Sequence, residues 1–288
     1  MDRWRTTPHQ GLKLQLICLV AMEPSNRVIV IGGGAAGLMA AGQAALAGAR
    51  VLLLERTARL GTKLRITGKG RCNLTNTADL DDFIQHFAVL DQGRSNSHLF
   101  VRNVFARFFS SDLVAFLEDL GVETVEERGG RVFPASSNSP DGPAGAHQVA
   151  EALVRFALEQ GVRIRLRSRV IQLPRDDDRL LAVTLSGGER IPGGAVIIAT
   201  GGASYPKTGS SGDGYQLAEK LGHTVVPIRP ALVPLVIAGT EPRAMMGLSL
   251  RNVEVRLLLD GQEVARDFGE MLFTQYGISG PIILTLSG

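Results

Sequence analysis

Cysteine is nearly absent from this chain. Two thiols in 288 residues, Cys18 and Cys72, lack any CxxC or CxxxxC spacing. That excludes a disulfide-stapled scaffold, a cysteine zinc site and a redox dithiol, and it implies a reducing cytoplasm. Histidine is sparse too: His98, His147 and His223 are scattered without ligand spacing, so no metal site is expected. One tryptophan and three tyrosines leave little aromatic interleaving for stacking on nucleic acid. The early apolar run LQLICLVAM follows Arg3, Arg5 and Lys13, but it falls far short of the ~20 residues of a membrane helix and lacks a clear cleavage site. No membrane association is therefore expected. Internal repeats and long low-complexity segments are also missing. Charge of one sign does not dominate: 31 basic against 28 acidic side chains leave +3, so the pI near 9.1 does not by itself point to nucleic acid.

What is present is apolar material. A hydrophobic content of 44% and a mean hydropathy of +0.11 suffice for a sizeable core in one large or two smaller domains. MEPSNRVIVIGGG reads as the natural beginning of the fold at Met22, and residues 1–26 read as a disordered extension.

The strongest signal runs from Val28 to Arg56. A short apolar strand, a helix over Ala35–Ala47, Gly48 as its C-terminal cap and a second strand ending at Leu54 make a βαβ unit. Inside it, Gly32, Gly34 and Gly37 form GxGxxG, with Ala36 in the first turn. The first glycine allows the tight turn, the second lets backbone approach a pyrophosphate, and the third permits close packing of helix on strand. Glu55 ends the second strand where a carboxylate accepts hydrogen bonds from an adenosine ribose and repels a 2′-phosphate. Strand, helix, strand and acid in register predict a dinucleotide site. Its place near the start of the fold suggests a flavoprotein.

Further along, helices are expected over 80–87, 98–109 and 112–120, the last capped by Ser111. A hairpin is expected to turn at Gly129–Gly130 and a helix to cover 145–160, with strands over 162–173 and 180–185 around a turn at 176–178. The apolar strand AVIIATGG then returns. This wiring is common in FAD domains of the glutathione-reductase type. Val170 falls where such proteins hold adenine through backbone groups, and Thr200 and Gly201 lie beside the nucleotide. A helix over 214–221 follows, then closely spaced prolines, a hairpin turning at Asp260–Gly261, and GISGP at the start of another helix.

Three blocks carry a more specific likeness: ITGKGRCNLTN (66–76), ATGGASYPKTGSSGDGY (199–215) and GEMLFTQYGISGPIIL (269–284). Over 27–288 the chain resembles the BaiN/RdsA (YhiN-like) family of NAD(P)/FAD-dependent oxidoreductases. The resemblance implies an α/β fold: a Rossmann-like FAD-binding domain of the glutathione-reductase type over 27–224, with a β-rich inserted second domain beginning at 225. Because the family usually continues beyond this length, the domain over 225–288 is expected to be partial, with one wall of the cofactor site missing. It also implies that the loop with Gly70, Arg71, Cys72 and Asn73 lies against the flavin, where the glycines admit its backbone and Arg71 and Asn73 supply donors. Arg71 has a second reading as a salt-bridging arginine, Cys72 as a small apolar side chain, and Asn73 as a turn cap.

Arg56, Arg59, Lys63, Arg65, Lys69 and Arg71 form a basic run. Lys63 is a candidate cofactor ligand, and the run is either a solvated face or the entrance for an anionic substrate. The implied chemistry is hydride transfer through FAD, from NAD(P)H as a transient donor, to a polarised C=C bond in a small conjugated enone or in a uracil of ribosomal RNA. A flavin amine oxidase and a non-catalytic FAD- or RNA-binding module are the alternatives. The sequence sets neither catalytic residues nor oligomeric state.

Overall fold

A computed structural model describes residues 27–88, 97–138, 144–176, 179–180 and 182–287. The expected extension over 1–26, Cys18, and part of the expected turn at 176–178 lie outside them. The chain divides into two compact units, Met1–Val225 and Val226–Gly288.

The first unit opens with β1 (Arg27–Ile31), α1 (Ala35–Leu46) and β2 (Arg50–Leu54). Gly48 ends α1 in the left-handed region, φ +88°, which glycine tolerates without a Cβ clash. An excursion follows: β3 (Thr75–Asn76), α2 (Leu80–Ala88), α3 (Ser97–Phe105), α4 (Ser110–Asp119), β4 (Thr124–Glu127) and β5 (Arg131–Pro134). The strands of this excursion form a small antiparallel sheet ordered β3-β5-β4. Then come α5 (Gly145–Glu159), β6 (Arg163–Arg165), β7 (Val170–Gln172), β8 (Arg175–Asp176), β9 (Arg179–Leu180), β10 (Ala182–Leu185), β11 (Arg190–Pro192), β12 (Ala195–Ile198) and α6 (Asp213–Lys220).

The central sheet is ordered β12-β1-β2-β6, and all its pairings are parallel. Successive side chains of a strand point to opposite faces, and the core divides accordingly. Val30, Val51 and Leu53 face α1 and α5 in one cluster. Ile29, Ile31 and Leu54 face Val170, Val183 and Leu217 of the β7-β10-β11 sheet and α6 in another. Strands covered on both sides read as continuous apolar runs. Helix α1 approaches α5 closely because Gly42 faces Phe156: a Cβ there would stand 2.1 Å from the ring.

Two expected elements are corrected. Helix α3 ends at Phe105, short of Phe109, because the Phe109 backbone is extended and donates its N–H to the Asp112 carboxylate at 2.9 Å. That acid, in the third position of the helix, starts α4 at Ser110 and leaves Ser111 inside it. Of the two or three strands expected over 162–173 and 180–185, the first range holds β6 and β7, separated where Arg167 is left-handed, φ +52°.

The second unit holds β13 (Leu235–Val236), α7 (Glu241–Ala244), β14 (Ser249–Leu259), β15 (Gln262–Thr274), β16 (Gly277–Ser279) and α8 (Pro281–Leu286). Its antiparallel sheet is ordered β13-β16-β15-β14. Asp260 and Gly261 turn the long hairpin with φ of +51° and +80°. Ile282 and Ile283 of α8 are buried, and Ile282 stands over Gly269 of β15.

Candidate functional site

A cleft of about 490 Å³ opens in the first unit at the carboxyl ends of β1, β2 and β12, the usual place for a ligand in an open α/β sheet. The β1–α1 turn builds one wall, and its three motif glycines differ in what surrounds them. Gly32, at φ +109°, would set a Cβ 2.4 Å from the Ala199 carbonyl oxygen, and Gly37 would set one 1.8 Å from that of Gly32. Packing alone demands both. A Cβ on Gly34 would meet no protein atom within 4 Å, so packing leaves that position free. Gly34 is also the N-cap of α1, with no side-chain cap and no acid in the first turn. The first N–H groups of the helix are left for an acceptor such as a phosphate.

Glu55 is only 8% exposed. Its Oε2 accepts the Gly33 N–H and its Oε1 the Thr57 N–H, each at 2.7 Å. An ionised carboxylate offers about four lone-pair sites, so acceptor capacity remains for ribose hydroxyls after it has braced the glycine turn. This second duty of Glu55 was not legible in its sequence position. Two bonds hold its backbone in turn: Glu55 donates to the Arg165 carbonyl at 2.9 Å and accepts the Ser168 N–H at 2.8 Å. Val170 is thereby held beside the acid, and the far wall is the loop after β12 with Thr200 and Gly201. Lys63 ties the walls together, donating to the Ser204 carbonyl at 2.8 Å.

Of the residues singled out in the sequence, Gly32, Gly34, Ala36, Glu55, Lys63, Val170, Thr200 and Gly201 line this cleft together, and Gly37 lies behind it. Gly70, Arg71, Cys72 and Asn73 are not among its lining residues. Arg71 pairs with Glu127 and lies 4.3 Å over the Phe133 ring, so a carboxylate and an aromatic face occupy its guanidinium. Cys72 is left-handed, φ +64°, and 2% exposed within the core cluster. Burial pushes its thiol up to about 11, away from the thiolate that redox work requires. Asn73 is exposed.

The cleft also brings together residues that pattern reading did not connect. Arg56 and Arg169 converge on Asp213, the first residue of α6. Burial pushes the Asp213 carboxyl up, but hydrogen bonds from Arg169 and Ser211 and the charges of Arg169 and Arg56 hold it below the ordinary aspartate range. Asp213 stands within SSGDGY and Arg56 within the basic run, yet nothing in either stretch announces the other. Among the described residues, no cluster of three or more His, Cys, Asp or Glu is placed to hold a metal, and no helix is long and apolar enough to cross a membrane.

A dinucleotide fits this arrangement: an open glycine at an uncapped helix start for the pyrophosphate, a braced acid for the ribose. Comparison with known proteins agrees in fold. A flavocytochrome c3 fumarate reductase in its open conformation superposes with a TM-score of 0.55 at 22% identity, covering 80% of this chain and 48% of that one. The 3-dehydro-bile acid delta(4,6)-reductase of Clostridium scindens is 37% identical over 91% of this chain and 60% of its own length. The ribosomal RNA dihydrouridine synthase of Haemophilus influenzae is 34% identical over 92% of this chain and 62% of its own. The chain thus spans about 60% of the length of these relatives. The family described as the HI0933-like protein Rossmann domain matches residues 26–280. A match over most of the chain, on a parallel sheet with its glycine turn at the cleft, makes the chain a member of the HI0933-like family with a Rossmann-like, FAD-binding type of α/β fold.

Proposed function

We propose that the cleft binds FAD and that the chain belongs to an oxidoreductase that reduces a polarised C=C bond with NAD(P)H as a transient donor. The observation that carries the reading is the open Gly34 at the uncapped start of α1, beside Glu55. FAD, when bound, supplies hydride transfer between a nicotinamide and such a bond. The chain's own part is binding and orientation: the first turn of α1 receives the pyrophosphate, Glu55 the ribose, and the backbone at Val170 the adenine. In this reading residues 27–224 hold the cofactor and 225–288 form part of a substrate domain.

The names of the two relatives support one chemistry, since a delta(4,6)-reductase and a dihydrouridine synthase both saturate a C=C bond in conjugation with a carbonyl. A small conjugated ketone is the substrate class we favour. Arg56, Arg65 and Arg71 each hold a carboxylate, and Lys63 holds a carbonyl, so most of the basic run is already engaged and little of it is left for a phosphate backbone. The test is to purify the chain, release and identify any bound flavin, and follow NADH and NADPH oxidation with a conjugated ketone or an unmodified ribosomal RNA fragment as acceptor. FAD is the flavin expected, and any oxidation that this part of a substrate domain supports is expected with the ketone as acceptor. Preference for RNA would overturn the substrate choice, and a chain that takes up no FAD would overturn the cofactor reading.

A further inference from the structure

Guanidinium groups beside the ribose of a dinucleotide site are a common means of holding a 2′-phosphate. This cleft has two. Arg56 directly follows Glu55, Arg169 directly precedes Val170, and both line the cavity. Both are already occupied. Arg56 Nη1 lies 3.2 Å from Asp213 Oδ2 and also donates to Ser211 Oγ. Arg169 grips the same carboxylate with both ends of its fork, Nε to Oδ2 at 2.9 Å and Nη2 to Oδ1 at 3.1 Å. Ser211 Oγ adds a fourth hydrogen bond, to Oδ1 at 2.7 Å. The Asp213 side chain is 13% exposed, so little solvent competes for it. Two acids, Glu55 and Asp213, balance two bases at this end of the cleft.

We propose that Asp213 is a specificity-determining residue: by engaging Arg56 and Arg169 it denies them to a 2′-phosphate and confines the cleft to dinucleotides whose adenosine ribose is unphosphorylated. The inference rests on the dinucleotide reading of the cleft and assigns Asp213, beside Glu55, a part in that choice of ribose. A 2′-phosphate entering here must displace the Asp213 carboxylate from both arginines, leaving a mostly buried charge unpaired, and it must also approach Glu55. Neither penalty applies to a free 2′-hydroxyl, which donates to Glu55. A 2′-phosphorylated nicotinamide donor is accordingly excluded from this cleft and has to reach the reacting centre by another route.

The experiment compares ADP with 2′-phospho-ADP, a bisphosphate in the sense that it is phosphorylated at both positions and keeps the same 5′-diphosphate, by titration calorimetry on the whole chain, for wild type, Asp213→Asn and the double variant Asp213→Asn/Arg56→Gln. Wild type should favour ADP by roughly tenfold or more, the scale of one lost charge-assisted hydrogen bond. Asp213→Asn should shift the ratio toward the bisphosphate by a similar factor, through a gain in bisphosphate affinity, and the double variant should lose most of that gain. A structural role alone would weaken both ligands together at an unchanged ratio, and that result overturns the proposal. Equal affinity of wild type for the two ligands overturns it without any variant, even if Asp213→Asn does not fold. Wild type that binds bisphosphate but not ADP also overturns it, while wild type that binds neither removes the dinucleotide reading itself and the proposal with it.

Discussion

Replacing Gly34 and Gly37 separately by alanine should split ligand binding from folding, because the structure gives the two added methyl groups opposite surroundings. Gly34 has φ −83° and ψ −172°, extended backbone that alanine adopts freely, and its Cβ would touch no protein atom within 4 Å. Gly34→Ala should leave unfolding free energy within about 0.5 kcal/mol of wild type, the range of substitutions that disturb no packing. The methyl group does occupy the space through which a pyrophosphate reaches the helix N–H groups. Losing one charge-assisted hydrogen bond there removes about 1.5–3 kcal/mol, or roughly 10- to 150-fold in affinity for ADP. Gly37→Ala drives its Cβ to 1.8 Å from a backbone oxygen that cannot rotate away, so destabilisation should reach or pass the upper end of the ~1–3 kcal/mol typical of overpacking. In a unit of this size that lowers Tm by about 2–4 °C per kcal/mol. Thermal unfolding and ADP calorimetry on both variants are the assays. Gly34→Ala with wild-type ADP affinity would refute the placement of the pyrophosphate at this turn, and Gly37→Ala with wild-type Tm would refute the packing account of the motif.

Glu55→Gln replaces one acceptor oxygen by an amide that faces a backbone N–H at Gly33 or Thr57. Unlike Gly34→Ala, it should lower both Tm and ADP affinity, each by the equivalent of about 1.5–3 kcal/mol; a fall in affinity alone would show that the carboxylate does not brace the turn. Asp213 has its folded pKa depressed below the ordinary 3.8, so its contribution is present above that value and is lost as pH falls through the folded pKa. Wild type should therefore exceed Asp213→Asn in urea stability near neutrality, with the gap closing in acid below pH 3.8; a gap independent of pH would contradict the ion-pair account. Cys72, with its thiol raised to about 11 by burial, should resist iodoacetamide in a native Cys18→Ser protein at mildly alkaline pH and react promptly in denaturant. Fast native labelling would place it outside the core.

The amino-acid sequence by itself determined what is local. The β1–α1–β2 unit, the glycine turn and Glu55 all lie between Arg27 and Glu55. Their hydrophobic periods, caps and φ requirements operate over a few residues, so they could be read without knowing what packs on them. The Asp260–Gly261 hairpin was legible for the same reason. Tertiary structure alone decided the partners of the charged and polar side chains. Arg56 meets Asp213 across 157 positions, and Arg71 meets Glu127 across 56. A run of cations looks the same in sequence whether it is solvated, aimed at a ligand or neutralised from within. Cys72 shows the limit plainly: its loop of glycines, cations and asparagines left contact with a cofactor and a small apolar side chain both open, and a left-handed turn at that residue carries its thiol into the core. Local pattern sets backbone conformation, whereas the partner of a long side chain is set by which distant segment the packed sheet and helices bring alongside it.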